Sequence, residues 1–188
     1  MKIEMNGGIR NALKAFRLVL LYAGLTAPAY AQDLAIDAFY GRWSGTGVSE
    51  SNISVNFRLT SRDLDVNIQP DGGAFVVDWT TVQRQKGNPN DPTPVRKGTL
   101  IRFVATDRAN VWKAEDLDDP LQGGRYAWAR IKKQTLSIHT MTISDDGGYE
   151  MQVYHRTLLP FGMDLEFVSF RNGEARRTAK GRLVKVAN

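Results

Sequence analysis

His139 and His155 are the only imidazoles in the chain, and cysteine is absent. That composition excludes disulfides, cysteine-based zinc sites, a cysteine nucleophile and a lipid-modified cysteine. The histidines sit in adjacent runs, 134–143 and 148–157, joined by Asp145-Asp146-Gly147-Gly148. A hairpin centred near residue 146 sets His139 opposite a position near 153 and His155 opposite one near 137, within diagonal reach of each other if they share a face. Two imidazoles without a third ligand fall short of a structural metal site, so ordinary strand positions, each using a ring nitrogen in a hydrogen bond, are the expectation. Glu115, Asp116, Asp118 and Asp119 are acidic enough for calcium, but the alternating order and the downstream glutamate of a calcium loop are missing, and a solvated loop accounts for them. Ser44, in Trp43-Ser44-Gly45, lacks the first glycine of a nucleophile elbow, and no phosphate-cradling or dinucleotide-binding glycine pattern occurs. Asp63 and Asp65 share one strand face, where solvent exposure is the simpler account. No catalytic constellation emerges; the expectation is a protein that is not an enzyme, with no cofactor and no metal.

What the chain does offer is apolar surface at strand spacing. Phe75, Val77 and Trp79 share one face of a run, Tyr126 and Trp128 one face of another, and Leu165 and Phe167 one face of a third. These are the candidate pocket residues: in a wide barrel they line a cavity for an apolar ligand, in a narrow one they fill it.

The elements that must position them read as strands almost throughout. Asp33 to Tyr40 has the spacing of a short helical stretch. Beyond it come runs rich in Val, Ile, Thr and aromatic residues, at 41–48, 53–60, 63–69, 74–83, 98–105, 110–115, 125–131, 134–143, 148–157, 162–170 and 175–186. The runs 53–60 and 63–69 differ in phase by one residue, as a bulge in one long strand would produce, so ten strands fit as well as eleven. Pro70-Asp71-Gly72-Gly73, Asp145-Asp146-Gly147-Gly148 and Arg171-Asn172-Gly173-Glu174 carry the positive-φ residues of tight hairpins. Segments 87–94 and 115–120 read as exposed loops, the first in a position to form part of a lid. Tyr149, Met151, Val153 and His155 alternate with Glu150, Gln152, Tyr154 and Arg156, so one face is buried and the other wet. Short sequential connections favour an all-β, antiparallel up-and-down barrel of about 8–11 strands, with a short N-terminal helix.

The amino terminus sets the compartment. Lys2, Arg10, Lys14 and Arg17 precede the apolar run Leu18 to Leu25, and Ala29-Tyr30-Ala31 has the small-x-small spacing of a signal-peptidase site. The expectation is a cleaved signal peptide over 1–31, a periplasmic or secreted protein, and a single β-barrel domain over 32–188. The apolar run is too short to span a bilayer, which needs about 20 residues. Residues 1–31 hold those four cations against Glu4, so their removal lowers the formal net charge from +5 to +2. No nucleic-acid surface is expected from so balanced a chain; Arg176, Arg177, Lys180, Arg182 and Lys185 read as a solvated strand face.

At Gly41-Arg42-Trp43, directly after the short helical stretch, the chain resembles the lipocalin and calycin superfamily, and Ser44-Gly45-Thr46-Gly47 is similar to the first strand of nitrobindin-type barrels. The region 32–188 also resembles a group of uncharacterised bacterial periplasmic proteins. The superfamily resemblance implies that Gly41 allows close approach at the barrel base, that Trp43 plugs it, and that an arginine of the last strand, Arg182, packs on Trp43. Nitrobindin-type barrels hold haem through a late histidine; the motif around that ligand does not reappear here, and His155 is not assigned to haem. The implied function is an exported lipocalin-like binder or carrier of a small hydrophobic ligand, a fatty acid or another envelope lipid. The alternative is a non-catalytic structural or interaction protein of the envelope, whose outer apolar positions such as Val76 and Val82 dock on a second copy or an envelope protein.

Overall fold

Alternation of apolar and polar residues in nearly every run makes an amphipathic ribbon that must close to cover its apolar face. The computed structural model describes residues 32–53, 59–83, 94–116 and 118–186; the expected signal segment and loop residues 87–93 lie outside them. Ten antiparallel strands follow one another around a closed barrel. They are β1 (Gly41–Ser51), β2 (Leu59–Asp71), β3 (Ala74–Gln83), β4 (Val95–Ala105), β5 (Val111–Ala114), β6 (Arg125–Lys132), β7 (Thr135–Ile143), β8 (Tyr149–Leu159), β9 (Gly162–Arg171) and β10 (Glu174–Val186). Each pairs with its sequence neighbour, and β1 pairs with β10 to leave no open edge.

The short helical stretch is a 3-10 turn, Ile36–Phe39, and a second such turn, Pro120–Gln122, lies in the acidic loop, where the Asp119 carboxylate caps the Leu121 amide. Gly72 and Gly73 link β2 to β3, and Asn172 and Gly173 link β9 to β10, all with positive φ as hairpins of two residues require. Lys133 takes positive φ between β6 and β7 without such turn chemistry. There the Asp33 carboxylate accepts from the Lys133 amide, and Leu34 donates to the Lys133 carbonyl. The described part of β2 pairs with β1 in unbroken register, so the expected phase slip is not within residues 59–71. A register shift occurs instead in β10, between Ala175 and Arg177.

The closing seam depends on glycine. A Cβ on Gly45 would lie 2.0 Å from the Arg182 carbonyl oxygen, and one on Gly47 2.4 Å from that of Lys180, so β1 and β10 approach closely only because these positions are bare. At the end of the barrel where β1 starts, Phe39, Trp43, Ile68, Phe75, Phe103, Ile131, Leu136, Met163 and Leu183 fill the interior, none more than 6% exposed. Trp43 donates its indole N–H to the Phe39 carbonyl at 3.0 Å, tying the 3-10 turn across this base. Its cationic neighbour is Lys185, whose ammonium lies 5.3 Å from the ring centroid, and not Arg182. The reason is parity. Trp43 pairs with Lys185 in register, whereas Arg182 pairs with Thr46, points outward and bonds Asp164 at 2.9 Å.

Candidate ligand cavity at the open end of the barrel

The opposite end is built from the ends of β1 and β3 and the starts of β2, β4, β6, β8 and β10, and its inward positions are polar. A cavity of about 610 Å³ opens there, lined by Arg62, Lys97, Arg125 and Arg177 at its mouth and by Leu64, Trp79, Tyr154, Leu165 and Phe167 deeper in. An adjoining recess of about 510 Å³ adds Glu150, Ser169 and Arg176. Glu150 is the sole carboxylate among the described residues lining either space.

The strand registers explain why these side chains converge. Arg62 of β2 pairs with Gly47, Gly47 with Gly181, Gly181 with Leu165, and Leu165 with Arg156, so one row of inward positions crosses the seam from arginine to arginine over two glycines. Arg177 pairs with Ser169, and Ser169 with Gln152. Down β8 the inward face reads Glu150, Gln152, Tyr154, Arg156. The Tyr154 hydroxyl donates to Gln152 Oε1 and Gln152 Nε2 to Glu150 Oε1, both at 2.8 Å, which engages the one acid with a neutral partner.

The electrostatics are one-sided. Burial first, and then the charge of Arg177, lower the Arg62 pKa below its ordinary value. On the barrel exterior, by contrast, Arg102 is paired with Asp71 and Glu115, Lys180 with Glu166 and Arg182 with Asp164. Among the described residues Arg62, Lys97, Arg125 and Arg177 form no such ion pair. Beneath the cavity Arg156 is fully buried. Its guanidinium carbon lies 5.0 Å from the Trp79 ring centroid and 5.6 Å from that of Tyr154, and its Nε, Nη1 and Nη2 have no hydrogen-bond partner. Burial lowers its pKa from the ordinary guanidinium value to about 10, and burial likewise raises that of Tyr154.

The sequence-derived pocket residues are dispersed. Trp79, Leu165 and Phe167 line the cavity, with Tyr154 packed between Trp79 and Phe167 at ring separations of 5.0 and 4.8 Å. Phe75 and Val77 belong to the closed base, where Phe75 stacks on Phe103 at 5.2 Å. Tyr126 and Trp128 are on the outer face, which corrects their assignment to a pocket. Ala127 and Ala129 take the inward positions of β6, and the Trp112 ring, in register with Ala129 and in edge contact with Phe75 at 5.3 Å, fills the adjoining interior. Trp128 instead stacks flat on His139 at 4.7 Å. The histidine pairing follows the hairpin: His139 faces Val153 and Ser137 faces His155, whose Nδ1 lies 2.8 Å from the Ser137 hydroxyl. Both histidines are on the outer face, 6.5 Å apart by ring centroids, and no cluster of three or more metal-ligating side chains occurs among the described residues. Of the proposed docking positions, Val76 is half-buried and Val82 only 6% exposed, so neither offers an open apolar surface.

Sequence reasoning did not single out Arg62, Arg125, Tyr154, Arg156 or Arg177 as lining an interior. A signal for β8 was present in Pro160-Phe161. A turn of two residues there sets Leu158 against Met163 and Arg156 against Leu165, so an inward Leu165 brings Arg156 inward as well.

Solved structures share this architecture. The S-type phycobiliprotein lyase CPES from Guillardia theta aligns with a TM-score of 0.53 over 82% of this chain and 94% of the other, at 11% sequence identity. A protein of unknown function of the DUF3598 family from Nostoc punctiforme aligns with a TM-score of 0.41 at 12% identity, over 86% of this chain and 53% of that one. No protein-family model matches the chain, and no curated protein matches it in sequence. The fold is a lipocalin-like closed barrel.

Proposed function

We propose that this protein binds or carries a small amphipathic acid of the fatty-acid class at the open end of the barrel. The observation that carries the reading is the pairing of an apolar and aromatic wall, Leu64, Trp79, Leu165 and Phe167, with mouth cations that form no ion pair with a carboxylate among the described residues. Cations converging without counter-ions favour an anion from outside, and each charge-assisted hydrogen bond to it contributes roughly 1.5–3 kcal/mol. The apolar wall then receives the tail by area burial. The lipocalin-like fold is compatible with such a cavity, and the lyase of similar fold supports the reading only through that shared fold. Export rests on the amino-terminal residues alone: a periplasmic or secreted carrier of an envelope lipid is the form of the proposal consistent with them, and Gln32 as the mature amino terminus is its check.

Titration of dodecanoate and of dodecanol into the delipidated protein, followed by Trp fluorescence or calorimetry, tests the anion. The acid is expected to bind at least about tenfold more tightly than the alcohol, and Arg62→Gln with Arg177→Gln to remove most of that difference and its salt dependence. Equal affinity for acid and alcohol would overturn the assignment.

A further inference from the structure

We infer that the ligand carries two acidic groups at opposite ends of an apolar body, the outer held by Arg62 and Arg177 and the inner received by Arg156. The inference rests on the proposed function and narrows it from acids to diacids.

Arg156 is the reason. A guanidinium brings five N–H donors and no acceptor. Here all of it is buried, and its nitrogens meet ring faces rather than oxygen. Its neighbours in register, Leu136 and Leu165, have no side-chain acceptor, and the Tyr154 hydroxyl is turned toward Gln152. Donors buried without partners destabilise a fold unless something completes them, and the chain completes its other interior polar groups along β8. A monoacid seated at the mouth leaves Arg156 unpaired. Seated on Arg156 instead, it leaves Arg62 and Arg177 repelling one another. A diacid satisfies both sets.

Spacing agrees with an elongated ligand. Gln152, which shares its row with Arg177, is four residues from Arg156 along β8, about 13 Å at 3.3 Å per residue, while Arg62 shares the row of Arg156 but stands four strands away around the barrel. Between the two charged levels stand Trp79 and Tyr154, the rings that cover Arg156 from the cavity side. For the inner acid to reach the guanidinium these rings must part, which loosens the Tyr154 hydroxyl from Gln152 and from the Trp79 side chain.

Calorimetry on the full chain with dodecanoate, dodecanedioate and hexadecanedioate tests the inference. Wild-type protein is expected to bind at least one diacid roughly tenfold or more tightly than the monoacid, and Arg156→Met to bind diacid no more tightly than monoacid. Arg156→Lys, which keeps the charge but loses the planar fork, is expected to retain only part of it. The wild-type comparison needs no variant and so stands even if Arg156→Met folds poorly. Diacids no better than the monoacid, or an advantage that survives Arg156→Met, would overturn the inference alone; failure of every acid to bind would overturn the proposed function with it.

Discussion

At the base of the barrel Phe39, Trp43, Phe75, Phe103, Leu136 and Leu183 interlock with almost no exposure, whereas at the mouth Arg62, Lys97, Arg125 and Arg177 face one another around a cavity. The longer strands contribute to both ends, each passing from one regime to the other along its inward face. The base is what a fold needs for stability: large apolar side chains in contact and one indole hydrogen-bonded to the turn that covers it. The mouth works against stability, since like charges gather there and Arg156 is buried below them without acceptors. Opposing tendencies of this kind, in one small barrel, separate the residues that hold it together from those free to bind something.

Substitutions at the two ends should therefore move stability in opposite directions. The largest effect is expected at the base, where Trp43→Ala removes a 6%-exposed indole and its bond to Phe39; a loss of about 3–5 kcal/mol in denaturant unfolding is the expected outcome. A loss under about 1 kcal/mol would mean that the base does not carry the fold.

Next comes Arg156→Met, expected to stabilise the ligand-free protein. Lowering of a guanidinium pKa from its ordinary value to about 10 corresponds to roughly 3 kcal/mol of destabilisation by the buried charge, partly offset by its ring contacts. The folded-state pKa is the lower one, so this cost is fully present below about pH 10 and is relieved as pH rises above it toward the ordinary guanidinium value. The advantage of the methionine variant should shrink across that window, and an advantage that does not change with pH would point to packing rather than charge.

The smallest effect sharpens the comparison at the base itself. A double-mutant cycle between Trp43 and Lys185 should show coupling of roughly 0.5–2 kcal/mol, the range of a cation on an indole face. Between Trp43 and Arg182 the effects should add within about 0.3–0.5 kcal/mol, because Arg182 stands on the outer face against Asp164.

Much of this molecule is written locally. Period-two alternation and the positive-φ pairs Gly72-Gly73 and Asn172-Gly173 define strands and hairpins without reference to the rest of the chain, because backbone sterics act between neighbours. The Asp145–Gly148 turn likewise determines that His139 meets Val153 and that His155 meets Ser137. Gly41-Arg42-Trp43 marks the first strand at the closed base, and an even strand count brings the end of β10 beside the start of β1.

Which face of a strand looks inward is another matter. In β8 one alternating set is Tyr149, Met151, Val153 and His155, the more apolar by composition, yet Glu150, Gln152, Tyr154 and Arg156 enter the barrel. In β6 the aromatics stay outside and the alanines go in. Closure decides this: once β9 turns Leu165 and Phe167 inward, pairing carries Arg156 and Tyr154 with them, and the inward Trp112 of β5 carries its partner Ala129, and with it Ala127, to the inner face of β6. Parity along a single strand is a local property, whereas the sign of that parity belongs to the whole ring of strands, and so the sequence determined the barrel while the tertiary structure alone decided that its open end is lined with cations.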